Sequence, residues 1–261
     1  KIDIQNKLIS FGSIYIDSLR VIDVIGDIKK VEKFLEGQVT SDSNSIKDGD
    51  YQLSSICNQK GLVVAGFFLT KENNNFKIII DESLINILID DLSPYSKFFG
   101  VTFELTSQFV IGSISDHEKI KPFLKNEYFS LTLQLSHKKN ELNNSIKLNE
   151  WLTANKILRN YFLSIDDINK YRPLELNYDL LRVSFDKGCY RGQEVVARMK
   201  YLGVNRRRFS TVIIKSDYEF EKDFKVVGNI IDLKNCGVFN AIIKREDLET
   251  LKENKGVITI I

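Results

Sequence analysis

Cysteine is scarce in this chain of 261 residues: Cys57, Cys189 and Cys236 are an odd number, far apart, with no CxxC spacing. A disulfide framework and a one-chain zinc or cluster site are both excluded on that count, and a reducing compartment, the cytoplasm, is expected. No metal is expected in the monomer. There are two histidines, His117 and His137, each in a polar stretch without a second His or Cys at ligand spacing. Neither a metal site nor a catalytic triad follows, and both should face solvent. No long apolar run is present, since Leu62 to Leu69 falls far short of the roughly 18 residues that a membrane span needs. No membrane partner is expected. Charge of one sign is lacking too: 37 Lys and Arg oppose 35 Asp and Glu, giving +2. Any nucleic-acid site must therefore be local. The sequence shows no signal-peptide pattern after Lys1, no internal repeat and no low-complexity tract. Its three prolines, against abundant Ile, Asn and Lys, read as compositional bias of the source.

What is present is an ordinary globular composition, 43% hydrophobic and 28% charged, long enough for one large domain or two modest ones. The hydrophobic period switches between two and about 3.6, which gives an α+β class. Leu19 to Ile25 reads as a strand, followed past Gly26 and Asp27 by a helix with Val31, Phe34 and Leu35 on one face, ending near Gly37. Residues 51–57, 62–69 and 76–80 read as an antiparallel meander with turns at NQKG and ENNN. Asp81 is placed to cap an apolar helix through Leu92, with Pro94 just past its end. Further strands are expected at 101–106 and 108–114. The polar stretch 137–149 has linker composition, so a sub-boundary falls near 140, before a helix carrying Trp151, Ala154, Leu158 and Phe162 on one stripe. The domain reading is an α+β region over 1–205 and a β-barrel-like domain over 206–261, the latter packed on the rest.

The densest run of unusual residues is KGCYRGQEVVAR, from Lys187 to Arg198. Gly188 and Gly192 flank Cys189, permitting φ > 0 or close approach, so the thiol is expected on a tight, exposed turn. Lys187 and Arg191 beside it would favour the thiolate and make Cys189 a candidate reactive residue. A structural turn holding a buried, inert cysteine is the competing reading. From Gln193 the run becomes helical, and Glu194 and Arg198 stand four apart, where an ion pair can form. Arg206, Arg207 and Arg208 form the sharpest basic patch, suited to a polyglutamate tail, an RNA phosphate or an acidic partner; a plain solvated loop is the alternative. The acid pairs Asp90 and Asp91, and Asp166 and Asp167, are read as surface residues, since neighbouring helical positions point apart.

The run from Lys187 to Arg198, with Tyr190, Gly192, Gln193 and Glu194 in place and PLELNYD (Pro173 to Asp179) before it, resembles the signature of the YgfZ-type folate-binding proteins. FLEGQVTSD (Phe34 to Asp42) and CNQKGLVV (Cys57 to Val64) resemble two further motifs of that family, in the same order. The family is similar to the glycine cleavage T-protein. The resemblance implies two ferredoxin-like α+β modules around a folate-sized opening and a C-terminal β-barrel. It also implies folate or tetrahydrofolate as ligand, and iron-sulfur client enzymes, including those that methylthiolate tRNA.

Carried over by residue, Trp151 matches a family tryptophan that lines the folate site, where an indole can stack a flat pterin; a core helix aromatic is the plain alternative. The family's second folate tryptophan falls on Leu19, which offers apolar contact without stacking. The helix after Trp151 ends in ILRNYF (Ile157 to Phe162), not in the family's EAGxP-like pattern. The T-protein's catalytic carboxylate falls in LVVAG (Leu62 to Gly66), which has none, so general acid-base assistance of aminomethyl transfer is lost. The function expected is a folate-binding accessory protein for iron-sulfur enzymes, with one-carbon transfer and direct tRNA contact through Arg206 to Arg208 as rivals.

Overall fold

The computed structural model describes residues 8–116, 120–203, 206–220 and 224–261. Its largest sheet has five antiparallel strands. β2 (Leu19–Ile25) lies between β5 (Asn75–Asp81) and β6 (Thr102–Leu105), and β3 (Tyr51–Cys57) and β4 (Val63–Glu72) complete the order β3-β4-β5-β2-β6. The expected meander is present, and its ENNN turn is a two-residue hairpin in which Asn73 and Asn74 both take φ > 0, as a right-twisted hairpin requires.

Burial on both faces explains why β4 and β5 read as continuous apolar runs. Ile78, Ile80, Phe67 and Leu69 face one core, against α1 (Ile28–Gln38) and α2 (Ile85–Phe99). Ile79 and Phe68 face a second core with Trp151. Asp27 caps α1 by accepting from the Lys30 amide at 3.2 Å.

Pro94 corrects the expected end of the second helix: it lies inside α2, which runs on to Gly100, in the left-handed region at φ 66°. The lost backbone donor is tolerated because the apolar face continues to Phe99, whose ring packs against Phe34 at 6.0 Å. Ser93 meanwhile donates to the Ile89 carbonyl at 2.6 Å.

A second sheet, order β1-β7-β9-β8, combines β1 (Gly12–Tyr15), β7 (Phe109–Ser115), β8 (Leu124–Lys125) and β9 (Ser130–Ser136). The strands β1, β8 and β9 lie outside the expected ones: β1 and β8 are only four and two residues long, whereas β9, SLTLQLS, alternates strictly and its signal was missed. The polar stretch after β9 is exposed but tied down, with the Ser13 amide donating to the Asn144 carbonyl at 2.9 Å. α3 (Leu148–Ile157) then packs Trp151 and Ala154 into the second core. Phe162 lies beyond that helix, which corrects the proposed single helical stripe.

After α4 (Tyr178–Leu181) and α5 (Gln193–Leu202), the strands β10 (Arg207–Lys215), β11 (Lys225–Leu233), β12 (Cys236–Lys244) and β13 (Val257–Ile260) form a third antiparallel sheet, order β11-β12-β10-β13. A short α6 (Leu248–Glu253) precedes β13. This sheet has a small core of its own around Phe239, yet Phe209, Val227 and Ile242 belong to the first core. Thr211 and Asn240 donate to the Lys156 carbonyl, so the C-terminal strands are bolted to α3.

Lys156 is itself buried, and burial lowers its pKa to about 8. From about pH 8 up to the onset of tyrosine ionisation, the unfolded chain holds more protons at this site than the folded one, so stability rises with pH. Above about pH 10 the sign reverses, because burial raises the pKa of Tyr51, Tyr161 and Tyr190 and the unfolded chain loses those protons first. Urea unfolding between about pH 7.5 and 9.5 should show the rise, and Lys156→Met should remove most of it while increasing stability at neutral pH by about 1–2 kcal/mol.

Candidate functional site

Three segments far apart in sequence meet at the Cys189 turn. The C-terminus of α1 leaves carbonyls without helical partners, and the Lys187 ammonium fills that vacancy, donating to Glu36 O and Val39 O at 2.8 Å each and to Ser41 O at 3.0 Å. Its side chain is fully buried, with the Glu36 carboxylate at 3.5 Å. Burial lowers its pKa, and Glu36 opposes that. Arg191 is held just as firmly, by an ion pair with Asp91 and by the Tyr95 ring 5.1 Å away.

Both cations are thus engaged elsewhere, which corrects their expected role as activators of the thiol: they pin the turn. Asp91, read as a surface acid, is the partner that holds Arg191. Asp167 is likewise not free, accepting from the Tyr161 hydroxyl at 2.5 Å, while Asp166 is exposed.

Gly192 and Gly61 bring the turn against the CNQKG loop. Both have positive φ, 82° and 69°. A Cβ on Gly192 would run into the Asn58 carbonyl oxygen, and one on Gly61 would press the Val195 side chain at 3.0 Å. No larger residue fits either place. Gly188, by contrast, has no positive φ and would meet only Glu36 at 3.5 Å, so it is not a conformational requirement. The loop closes on itself through the Asn58 carboxamide oxygen, which accepts from the amides of Lys60 and Leu62 at 2.9 and 3.1 Å.

Cys189 is exposed on this turn, which excludes the buried, inert alternative. Tyr190 points inward and is buried; burial and the nearby Cys57 raise its pKa. Cys57 is wholly buried, and its thiol is pushed up to about 12. Glu194 and Arg198 form the expected pair at 3.2 Å, largely exposed, and Gln193 accepts from the Tyr190 amide at 3.4 Å.

Upstream of the turn, Arg182 is 1% exposed and has no carboxylate partner among the described residues. Its guanidinium donates to Ser54 O and Phe67 O at 3.0 Å each, to Asn160 Oδ1 at 2.8 Å and to Tyr161 O at 3.3 Å, and lies 4.5 Å from the Tyr178 ring. It ties β3 and β4 to the chain after α3.

On the other face of β4 lies a cavity of about 140 Å3 whose wall includes Leu19, Phe68, Asp81, Trp151 and Phe162. Leu19 and Trp151, paired from the sequence as ligand contacts, do share one cavity. Trp151 is also 1% exposed and packed edge-on against Phe123 at 6.2 Å, so the core reading and the cavity reading both hold. Asp81 is the ionisable group in this wall, and sequence reasoning gave it only a capping role. It does cap, accepting from the Ser83 amide at 3.1 Å. The segment LVVAG lies on β4 and brings no carboxylate to the cavity.

Arg206, Arg207 and Arg208 are exposed at the start of β10, away from the Cys189 turn's own contacts. His137 is exposed, while His117 lies outside the described residues. Among the described residues no group of three or more His, Cys, Asp or Glu is placed to hold a metal, and no helix is long and apolar enough to cross a membrane.

No family model matches the chain. It is 30% identical over 225 residues to a tRNA-modifying protein YgfZ of Vibrio atlanticus, covering 76% of this chain and 68% of the relative. A tRNA-modifying protein YgfZ of Buchnera aphidicola is 30% identical over 239 residues, covering 78% and 72%. This chain belongs to the YgfZ family. The aminomethyltransferase T of the glycine cleavage system from Bartonella henselae superposes with a TM-score of 0.62 at 10% identity, over 94% of this chain and 82% of that one. The YgfZ chain described here therefore has the T-protein-like fold that its motifs implied.

Two outcomes test this geometry. Native protein titrated with a chromogenic disulfide at about pH 8 should show one fast thiol, abolished by Cys189→Ser, with Cys57 and Cys236 reacting only on unfolding. Arg182→Leu should lower the urea unfolding free energy by about 3 kcal/mol, because it removes four buried hydrogen bonds and strands the Asn160 Oδ1 acceptor.

Proposed function

We propose that this protein binds a folate and serves as an accessory factor for assembly or repair of iron-sulfur enzymes, including those that modify tRNA. The observation that carries the reading is the cavity in which the lone indole, Leu19 and one carboxylate meet. A flat aminopyrimidinone ring fits that set: apolar faces against Trp151, Leu19 and Phe162, and N–H donors toward Asp81. At about 140 Å3 the cavity is smaller than the roughly 300–1,000 Å3 that encloses a drug-sized ligand, so it would take the pterin head and leave the rest of the folate outside.

A bound reduced folate would supply one-carbon or reducing chemistry. The chain's own contribution is to orient the ring, exclude water from it and present the Cys189 thiol on a rigid turn. The names of the relatives, tRNA-modifying proteins, support the link to tRNA modification. Aminomethyl transfer is disfavoured because LVVAG places no carboxylate where the T-protein resemblance requires one.

The single tryptophan makes a direct assay available. Tetrahydrofolate should quench its fluorescence saturably, and Asp81→Asn should weaken binding about tenfold with the melting temperature checked in parallel. Neither quenching nor a ligand-induced rise in melting temperature would sink the folate assignment. In cells lacking a YgfZ homologue, Cys189→Ala should fail to restore methylthiolated tRNA if the thiol acts.

A further inference from the structure

Arg159, Arg207, Arg208 and Arg245 line one polar cleft of about 220 Å3. They come from three places: the left-handed residue after α3, with φ 55°, the first residues of β10, and the residue after β12, whose amide donates to the Arg206 carbonyl at 2.9 Å. None of the four has an ion-pair partner among the described residues. The carboxylates in the walls of this cleft and the adjoining one are already committed: Asp179, in the arginine cleft, to Lys200 at 2.9 Å, and Glu175, in the adjoining one, to the Arg172 amide at 2.9 Å. Guanidinium groups gathered without counter-charge repel one another, and an oxyanion bound in the forked geometry of arginine relieves that. Burial, and to a lesser degree the nearby charge of Arg208, lowers the pKa of Arg159.

This cleft opens into a second one of about 310 Å3, and the two share Leu174, Arg207 and Phe209. The second is mainly apolar, its remaining wall including Met199 and Ile242. An arginine-lined half beside an apolar half matches a ligand with phosphate at one end and a flat base at the other. The geometry points to a nucleoside-phosphate site at the junction between α3 and the C-terminal sheet, with the phosphate among Arg159, Arg207, Arg208 and Arg245 and the base over Met199 and Phe209. It shares no lining residue with the Trp151 cavity and stands independently of the folate reading. The phosphate can belong to a free nucleotide or to an RNA strand.

The test uses the full chain with two probes, AMP by calorimetry and a labelled single-stranded RNA of about 12 nucleotides by anisotropy. Saturable binding of AMP supports a site for free nucleotide. Binding of RNA alone, weakening as salt rises from about 50 to 200 mM, supports a strand-borne phosphate. The combined variant Arg159→Gln, Arg208→Gln, Arg245→Gln should weaken the probe that binds by about tenfold or more, while Lys33→Gln on α1 leaves it within about twofold. Should the triple variant fail to fold, Arg245→Gln alone, at an exposed position, should still weaken it about threefold. The proposal is overturned if neither probe binds, if a folded variant binds like the parent, or, where AMP binds, if inorganic phosphate displaces it as effectively as unlabelled AMP does.

Discussion

The architecture depends on a buried cation, Arg182, that has no anionic partner among the described residues. Arg182 sits where β3, β4 and the chain following α3 converge, and it donates to a backbone carbonyl oxygen of each. A neutral side chain would forgo these bonds and leave the Asn160 Oδ1 acceptor without its donor in a dry interior, where an unpaired acceptor costs about as much as a lost hydrogen bond or more. The guanidinium reaches four acceptors at once. The cost of burying the charge is offset by these bonds and by the faces of Tyr178 and Phe162.

The same segment continues from that anchor to the Cys189 turn, and its next fixed point uses related physics. Lys187 occupies the carbonyl-rich end of α1 as Arg182 occupies the seam between strands. Between them Ser184 donates its amide to the Thr40 carbonyl at 2.9 Å. One stretch of about a dozen residues therefore sets both the back of the sheet that walls the Trp151 cavity and the orientation of the exposed thiol. A backbone pinned at both ends by buried cations keeps those two places in a fixed relation.

Much of this was legible in the residues. The strand Leu19–Ile25, the meander, the Glu194–Arg198 pair and the shared cavity of Leu19 and Trp151 follow from period, turn chemistry and motif resemblance. What escaped is long-range. Lys187 and Arg191 lie beside Cys189 in sequence, and only the folded chain shows their charges directed at α1 and Asp91 instead. Pro94 reads as a stop signal locally, and is overridden by packing of Phe99 on Phe34. The strand β8 is too short, at two residues, to show a period, while the strict alternation of β9 was legible and went unread. Arg159 and Arg245 gave no signal beside the Arg206–Arg208 run, because nothing in the sequence brings a helix end and two strand ends together.

The fit between Gly61 and Gly192 has a consequence for synthesis. The loop that bears Cys57 leaves the ribosome well before its partner turn exists, so its sulfur is shielded only late, once the second glycine docks. Contacts so distant along the chain are slow to close. Until then the Cys57 thiol is open to oxidants, and a reducing surrounding or a chaperone matters most in that interval.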